Sequence, residues 1–295
     1  MKSKSASSGV LLILLAGIFW GSMGLFVRHL QALGFSAVQI TAVRLRLAAL
    51  VFCLLLLLRD RQGFRIRLKD VPLFLGLGLG SILFFTVCYF TAITLMPLAT
   101  AAILLYTSPI WVTLLAVPLF HEKLSAVKLL ALALAFGGCV LVSGLGGGSI
   151  TLPALLIGLG AGLGYGLYSI LGTVALRRYA PLTVTAWTLT VAGLGSCLLA
   201  SPAQTFAQIA ASASPLPTAL FFVLMALVTA VGPFLCYTLG LRTVEPGRAA
   251  IFATVEPMVA ALLGILVFRE PLTLTAALGV ALILAAVVLL NRSSG

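Results

Sequence analysis

Three stretches of this chain, Val71 to His121, Leu129 to Leu176 and Tyr179 to Leu241, contain no Asp, Glu, Lys or Arg. Each is far longer than the roughly 20 residues that cross a bilayer once, so each must turn back within itself. A soluble domain carries roughly 25% charged residues because its surface faces water. Here 8% of residues are charged and 62% are hydrophobic, with mean hydropathy +1.24. A membrane β-barrel would alternate apolar and polar residues along strands of about 10 residues. Runs such as Leu50 to Leu58 and Leu278 to Leu290 do not alternate. The expected fold class is an all-α membrane protein.

The apolar runs predict ten transmembrane helices, at 9–27, 37–58, 71–95, 98–119, 127–145, 153–176, 182–200, 217–240, 248–268 and 273–290. Tight connections are expected at Met96-Pro97 and Glu270-Pro271, because proline tolerates a helix start but not its interior. Ten spans put both termini on one side, and the positive-inside rule tests that count. The terminus side takes 14 of the 18 basic residues; the opposite side takes only Arg28 and Arg269, and Arg44 and Arg46 fall within the second span. Both termini are therefore expected in the cytoplasm and the chain in the cell's inner (plasma) membrane. The apolar stretch after Lys2 and Lys4 has no small-x-small cleavage signal, so it reads as a retained first span. The net charge of +12 is no sign of nucleic-acid binding, since the basic residues sit in short loops beside apolar spans. The five cysteines all fall within spans, with neither metal spacing nor a disulfide framework. No metal and no cofactor is expected.

The two halves resemble each other. A shift of 148 residues superimposes Cys88-Tyr89 on Cys236-Tyr237, Ala101-Ala102-Ile103 on Ala249-Ala250-Ile251, Pro109 on Pro257, Phe120 on Phe268 and Glu122 on Glu270. A shift of 145 puts Gly17 on Gly162, Trp20 on Tyr165 and Gly21 on Gly166. Five spans per half make the second half upside down relative to the first. Residues 1–148 form one five-helix repeat and residues 149–295 its inverted copy, joined through the Gly-rich segment Gly144 to Ser149. Inverted repeats underlie alternating access in many secondary transporters.

The proline-centred ninth span with Glu256-Pro257, the following Phe268 to Leu272 (Phe-Arg-Glu-Pro-Leu) and its first-half copy Phe120 to Leu124 (Phe-His-Glu-Lys-Leu), and Arg44 at the head of the second span identify a resemblance. Over nearly its whole length the chain resembles the EamA-type branch of the drug/metabolite transporter superfamily. Within that branch it looks most like bacterial exporters of amino acids, including aromatic ones. The resemblance implies a ten-helix fold and export of a small metabolite.

Several residues could carry that function. Pro109 and Pro257 lie mid-span and free the carbonyls of Leu105 and Ala253, which must be satisfied by protein, water or ligand. As repeat equivalents they read either as paired walls of a midplane cavity or as ordinary kinks. Glu256 alone among the acidic residues lies well inside a span, eight residues past Arg248 and so roughly 12 Å deep. It reads as a partner for a substrate ammonium or a proton-coupling site, or as a structural carboxylate bonded to a neighbouring helix, Arg44 or Arg46. Its first-half counterpart is Ser108. Arg44 and Arg46 point about 200° apart on a helix, so they cannot share one cavity, and at least one is expected to snorkel outward or satisfy backbone carbonyls. Trp20, Tyr89, Tyr106, Trp111, Tyr165 and Tyr168 lie deep instead of at the membrane interfaces where Trp and Tyr gather. Such a wall would suit an apolar or aromatic side chain and still offer hydroxyls; the competing reading is helix packing. The Gly17/Gly21 and Gly158/Gly162/Gly166 stripes permit close packing and movement.

The resulting expectation is a secondary transporter of amino acids or similar metabolites, working by alternating access within the lipid bilayer, with or without coupling to protons. Drugs, nucleobases and sugar derivatives are the alternative solutes. An intramembrane enzyme would need a nucleophile and base, or a metal constellation, at depth. His29 and His121 lie at span ends, and Glu256 has no acidic neighbour in sequence. An ATP-driven pump would need a G-x-x-x-x-G-K-[ST] loop, which the chain lacks.

Overall fold

The computed structural model describes residues 2–96, 98–143, 151–269, 271 and 273–292, with side chains from Ser8 onward apart from residues 98 and 99. The expected turn residues Pro97 and Glu270, Leu272 of the Phe268 to Leu272 motif and the Gly144 to Ser149 joint lie outside them. Among the described residues ten helices are long and apolar enough to cross a membrane: Ser8–Ala32, Ala37–Arg59, Leu68–Leu95, Thr100–Phe120, Ala126–Ser143, Leu152–Leu176, Pro181–Leu198, Pro215–Gly240, Pro246–Phe268 and Leu274–Arg292. They are called the first to tenth spans below. Helical backbone satisfies its own polar groups, as hydrocarbon requires. The starts are marked by proline in the first turn of the sixth, seventh, eighth and ninth spans. The second span instead opens on a capping box in which Ser36 and Gln39 exchange side-chain and backbone hydrogen bonds.

The first span differs from expectation. It reaches Ala32 instead of Val27, with a break at Ser22. The added turn is stable because its polar residues find aromatic partners: the Arg28 guanidinium lies 4.1 Å from the centre of the Phe268 ring, and the His29 ring lies 4.4 Å from that of Phe221. A short helix, Pro202–Ala210, also lies between the seventh and eighth spans. It is capped by the Ser201 hydroxyl, which accepts from the Gln204 amide.

The ten spans pack as two interlocked groups. The first span packs on the eighth and ninth, and the sixth packs on the third and fourth, so each half lends its first helix to the other. The second span pairs with the seventh and the fifth with the tenth. Glycine makes the exchanged contacts possible. Gly17 and Gly21 lie against the backbone of Ala253 and Glu256, while Gly162 and Gly166 lie against the backbone of Leu104, Leu105 and Ser108. These are the two stripes noted in the sequence, each seated on the proline-bearing span of the opposite half.

Both proline-bearing spans are broken, not merely kinked. The fourth runs as Leu98–Leu105 and Ser108–Phe120, and the ninth as Pro246–Ala253 and Val255–Phe268. The breaks fall at repeat-equivalent positions, Leu105 and Ala253. Each turn carries a threonine whose hydroxyl donates to the carbonyl three residues back, Thr107 to Leu104 at 2.6 Å and Thr254 to Ile251 at 2.7 Å. The third and eighth spans share a second irregularity, π-helical turns at Gly76–Leu83 and Leu227–Val231. In the eighth, Pro233 cannot donate to the carbonyl of Thr229. Arg44 fills that vacancy, its Nη1 donating to Thr229 O at 3.3 Å.

Gly9 lies against Val244, and Arg248 donates to the Leu290 carbonyl at 2.6 Å. The starts of the first and ninth spans and the end of the tenth thus share one end of the bundle, the terminus end.

Candidate functional site

The two broken spans face each other across a small cavity walled by Trp20 from the first span, Tyr106 and Ser108 from the fourth, Tyr165, Tyr168 and Ser169 from the sixth, Tyr237 from the eighth, and Thr254 and Glu256 from the ninth. The exchanged first and sixth spans place Trp20 and Tyr165 opposite each other, their ring centres 6.1 Å apart and edge to face. Trp20 also meets Phe234 at 5.5 Å and Tyr237 at 5.4 Å, so one indole organises three aromatic neighbours.

Glu256 is the one acidic side chain among the residues that wall the cavity. Its Oε2 accepts a hydrogen bond from the Tyr165 hydroxyl at 2.6 Å, a bond that joins the two packed groups. Because Glu256 sits in the first turn after the break, the helix end beside it also favours negative charge. Among the described residues no ion pair joins this carboxyl group to Arg44. Arg46 is elsewhere. It holds the end of the seventh span, donating to Ser196 O at 2.9 Å, to Ser196 Oγ at 3.1 Å and to the Ala200 carbonyl. Of the readings left open for the two arginines, backbone satisfaction fits both.

Two hydroxyl pairs tie the sixth span to the eighth. The Tyr168 hydroxyl pairs with Thr238 Oγ1 at 2.6 Å, and Ser169 Oγ with the Tyr237 hydroxyl at 2.8 Å, both joining the sixth span to the eighth. The enclosed space is about 20 Å³, little more than a water requires. A solute the size of an amino acid needs the walls to part.

The structure therefore brings Trp20, Tyr106, Ser108, Tyr165, Gly166, Tyr168 and Glu256 to one place. It places others behind the wall. Tyr89 packs with Ala92, Met96, Ala101 and Ala154 between the third, fourth and sixth spans. Trp111 lies one turn past the break, near Gly166, with its indole N–H buried and unpartnered. Pro109, Pro257 and Gly21 are buried at the breaks, where they set the backbone without lining the cavity. Phe234, Tyr237, Ser169 and Thr254 escaped the sequence reading. Tyr237 was detectable, being the repeat image of Tyr89.

Comparison with known proteins agrees with this architecture. A solved structure titled "Crystal structure of protein" superimposes with a TM-score of 0.79, covering 98% of this chain and 99% of the other at 20% identity, a likeness of fold. An uncharacterized transporter of Archaeoglobus fulgidus is 32% identical, over 95% of this chain and 95% of its own. The uncharacterized inner membrane transporter YicL of Salmonella typhimurium is 26% identical, over 98% and 97%. The pseudopaline exporter CntI of Pseudomonas aeruginosa is 31% identical, over 58% of this chain and 57% of its own. The sequence profile of the EamA-like transporter family matches twice, at residues 7–144 and 152–292, once in each half. With ten apolar spans, an exchanged pair of helices and a family match across both halves, this chain belongs to the EamA-like transporter family.

Proposed function

We propose that this transporter exports amino acids, aromatic ones included, or closely related metabolites across the inner membrane by alternating access. The observation that carries the reading is the Tyr165–Glu256 hydrogen bond at the centre of an aromatic wall. A carboxylate among aromatic faces suits an ammonium group, which it attracts by charge and the rings attract by their quadrupoles. The aromatic wall then takes an apolar or aromatic side chain. Export follows the naming of CntI as an exporter. The distribution of basic residues supports cytoplasmic termini.

In this reading Glu256 is also where a proton exchanges with the substrate, since a carboxylate at membrane depth is costly to leave ionised and unpaired. The test is uptake of radiolabelled amino acids into proteoliposomes, with and without an imposed pH gradient, beside Glu256→Gln. Saturable uptake enhanced by the gradient and uncoupled by the substitution is the expected result. Saturable uptake indifferent to both would make the protein a uniporter and Glu256 structural. Folded protein that moves no amino acid would refute the substrate assignment.

A further inference from the structure

Hydrogen-bonding capacity is unevenly used around the cavity. The hydroxyls of Tyr165, Tyr168, Ser169, Tyr237 and Thr254 all have partners. Three other polar groups of the wall do not: the Trp20 indole, the Tyr106 hydroxyl and the Ser108 hydroxyl make no hydrogen bond among the described residues. These groups are not at the protein's outer surface, since Ser108 is 6% and Trp20 8% exposed. A buried polar group without a partner costs free energy, so three in one wall call for a common partner.

Two of the three sit where the fourth span breaks. Thr107 is the N-cap residue of the half-helix Ser108–Phe120, but its hydroxyl turns back to the Leu104 carbonyl, so no side chain caps that helix. Its first turn carries no acidic residue. The matching half-helix of the ninth span, Val255–Phe268, also lacks a side-chain cap but has Glu256 in its first turn. Ser108 and Glu256 are repeat equivalents and both wall the cavity. Each half-helix therefore begins at the cavity with the partial positive charge of a helix start. One start brings its own carboxyl group, and the other is a place for an anion from outside the chain.

The unpaired groups agree with that sign. Serine and tyrosine hydroxyls donate or accept, but an indole N–H only donates. A group that meets all three beside a helix start is an acceptor carrying negative charge. A carboxylate, with two oxygens that each accept more than one hydrogen bond, can serve them together.

We infer that the solute's carboxylate binds at the start of the half-helix Ser108–Phe120, held by the Ser108 and Tyr106 hydroxyls and the Trp20 indole, while its ammonium group lies at Glu256. The inference rests on the amino-acid reading above and sharpens it. The fourth span takes one end of the zwitterion and the ninth takes the other, so the site rejects amines that lack the carboxylate. The serine-for-glutamate difference between the halves also fixes which way round the solute lies.

The test is equilibrium binding to the full-length protein in nanodiscs, which leave both faces open to a probe. Three radiolabelled probes share one aromatic body: phenylalanine, 2-phenylethylamine without the carboxylate, and 3-phenylpropionate without the ammonium group. Ser108→Ala and Tyr106→Phe are each expected to weaken phenylalanine and 3-phenylpropionate about tenfold or more, the scale of one hydrogen bond to a charged group, and to change 2-phenylethylamine by about twofold at most. Glu256→Gln is expected to weaken phenylalanine and 2-phenylethylamine and to spare 3-phenylpropionate. Equal weakening of all three probes by Ser108→Ala and Tyr106→Phe would mark a packing role and overturn the carboxylate site, as would no change in any. If phenylalanine and 2-phenylethylamine bind alike and both depend on Glu256, the ammonium reading stands and the carboxylate site falls. If 3-phenylpropionate binds through Ser108 and Tyr106 while phenylalanine does not bind, the carboxylate site stands and the amino-acid reading falls. Binding of none of the three refutes both.

Discussion

Gly162→Ala tests the packing that positions the site. A Cβ on Gly162 would lie 2.4 Å from Thr107 Oγ1, 2.6 Å from Leu104 O and 3.2 Å from Leu105 O. The threonine hydroxyl can rotate, but the carbonyls belong to the broken backbone and cannot. Restoring ordinary contact with Leu104 O requires the sixth span to move off the fourth by about 0.8 Å. Overpacking of this kind costs about 1–3 kcal/mol, and rigid backbone neighbours argue for the upper half of that range. Alanine returns about 0.8–1 kcal/mol through its better helix propensity. The net loss is about 1–2 kcal/mol. At about 2–4 °C per kcal/mol for a chain approaching this size, the apparent Tm should fall by roughly 2–8 °C. The assay is thermal unfolding of purified protein in one detergent at one scan rate, beside Gly24→Ala. Gly24 has nothing within 4 Å of its missing Cβ, so that variant should hold or gain stability. If Gly162→Ala melts at or above the parent temperature, or Gly24→Ala falls as far, the packing argument is wrong.

Two further outcomes are expected, both read as shifts in the same melting assay. Arg46→Met strips the donors from the Ser196 and Ala200 carbonyls and should cost about 2–4 kcal/mol, with Arg46→Lys restoring part; an unchanged Tm for Arg46→Met would show that water replaces the arginine. Asp70 is buried and accepts from Arg178 and from the Tyr179 hydroxyl, each at 2.7 Å, whereas the Arg178 side chain is 54% exposed. Asp70→Asn should therefore lower the Tm further than Arg178→Ala, and the reverse order would refute the burial argument.

The spans were legible because lipid imposes a rule on composition: long apolar runs are tolerated and charges are pushed to the ends. The breaks at Pro109 and Pro257 were legible because proline lacks an amide hydrogen whatever surrounds it. The same rule, applied to Pro233, would have exposed the Thr229 carbonyl and explained Arg44. The π-helical turn at Gly76–Leu83 has no such marker, since it is a choice of hydrogen-bond register that several residue types permit. Depth in a span suggested which aromatic residues could meet. It could not say which face of a helix each occupies, and so Tyr89 and Trp111 were grouped with Trp20 and Tyr165. The Tyr165–Glu256 bond required knowing that the sixth and ninth spans pass at the cavity, a fact of tertiary packing that no local pattern encodes.

The exchange of first helices between halves bears on how the chain is made. The first span is synthesised before any other, yet its permanent neighbours are the eighth and ninth, more than half the chain later. Until they emerge, Gly17 and Gly21 face lipid or transient partners. The sixth span meets the opposite situation, because the third and fourth are already in the membrane when it arrives. Contacts so distant in sequence are slow to form. Assembly is therefore lopsided despite the near-symmetry of the product: one group closes as its last helix inserts, while the other waits for the ribosome to reach residue 268. The newborn protein is most exposed to quality-control proteases in that interval, and substitutions along the Gly17–Gly21 stripe should lower its yield more than equivalent changes along Gly162–Gly166.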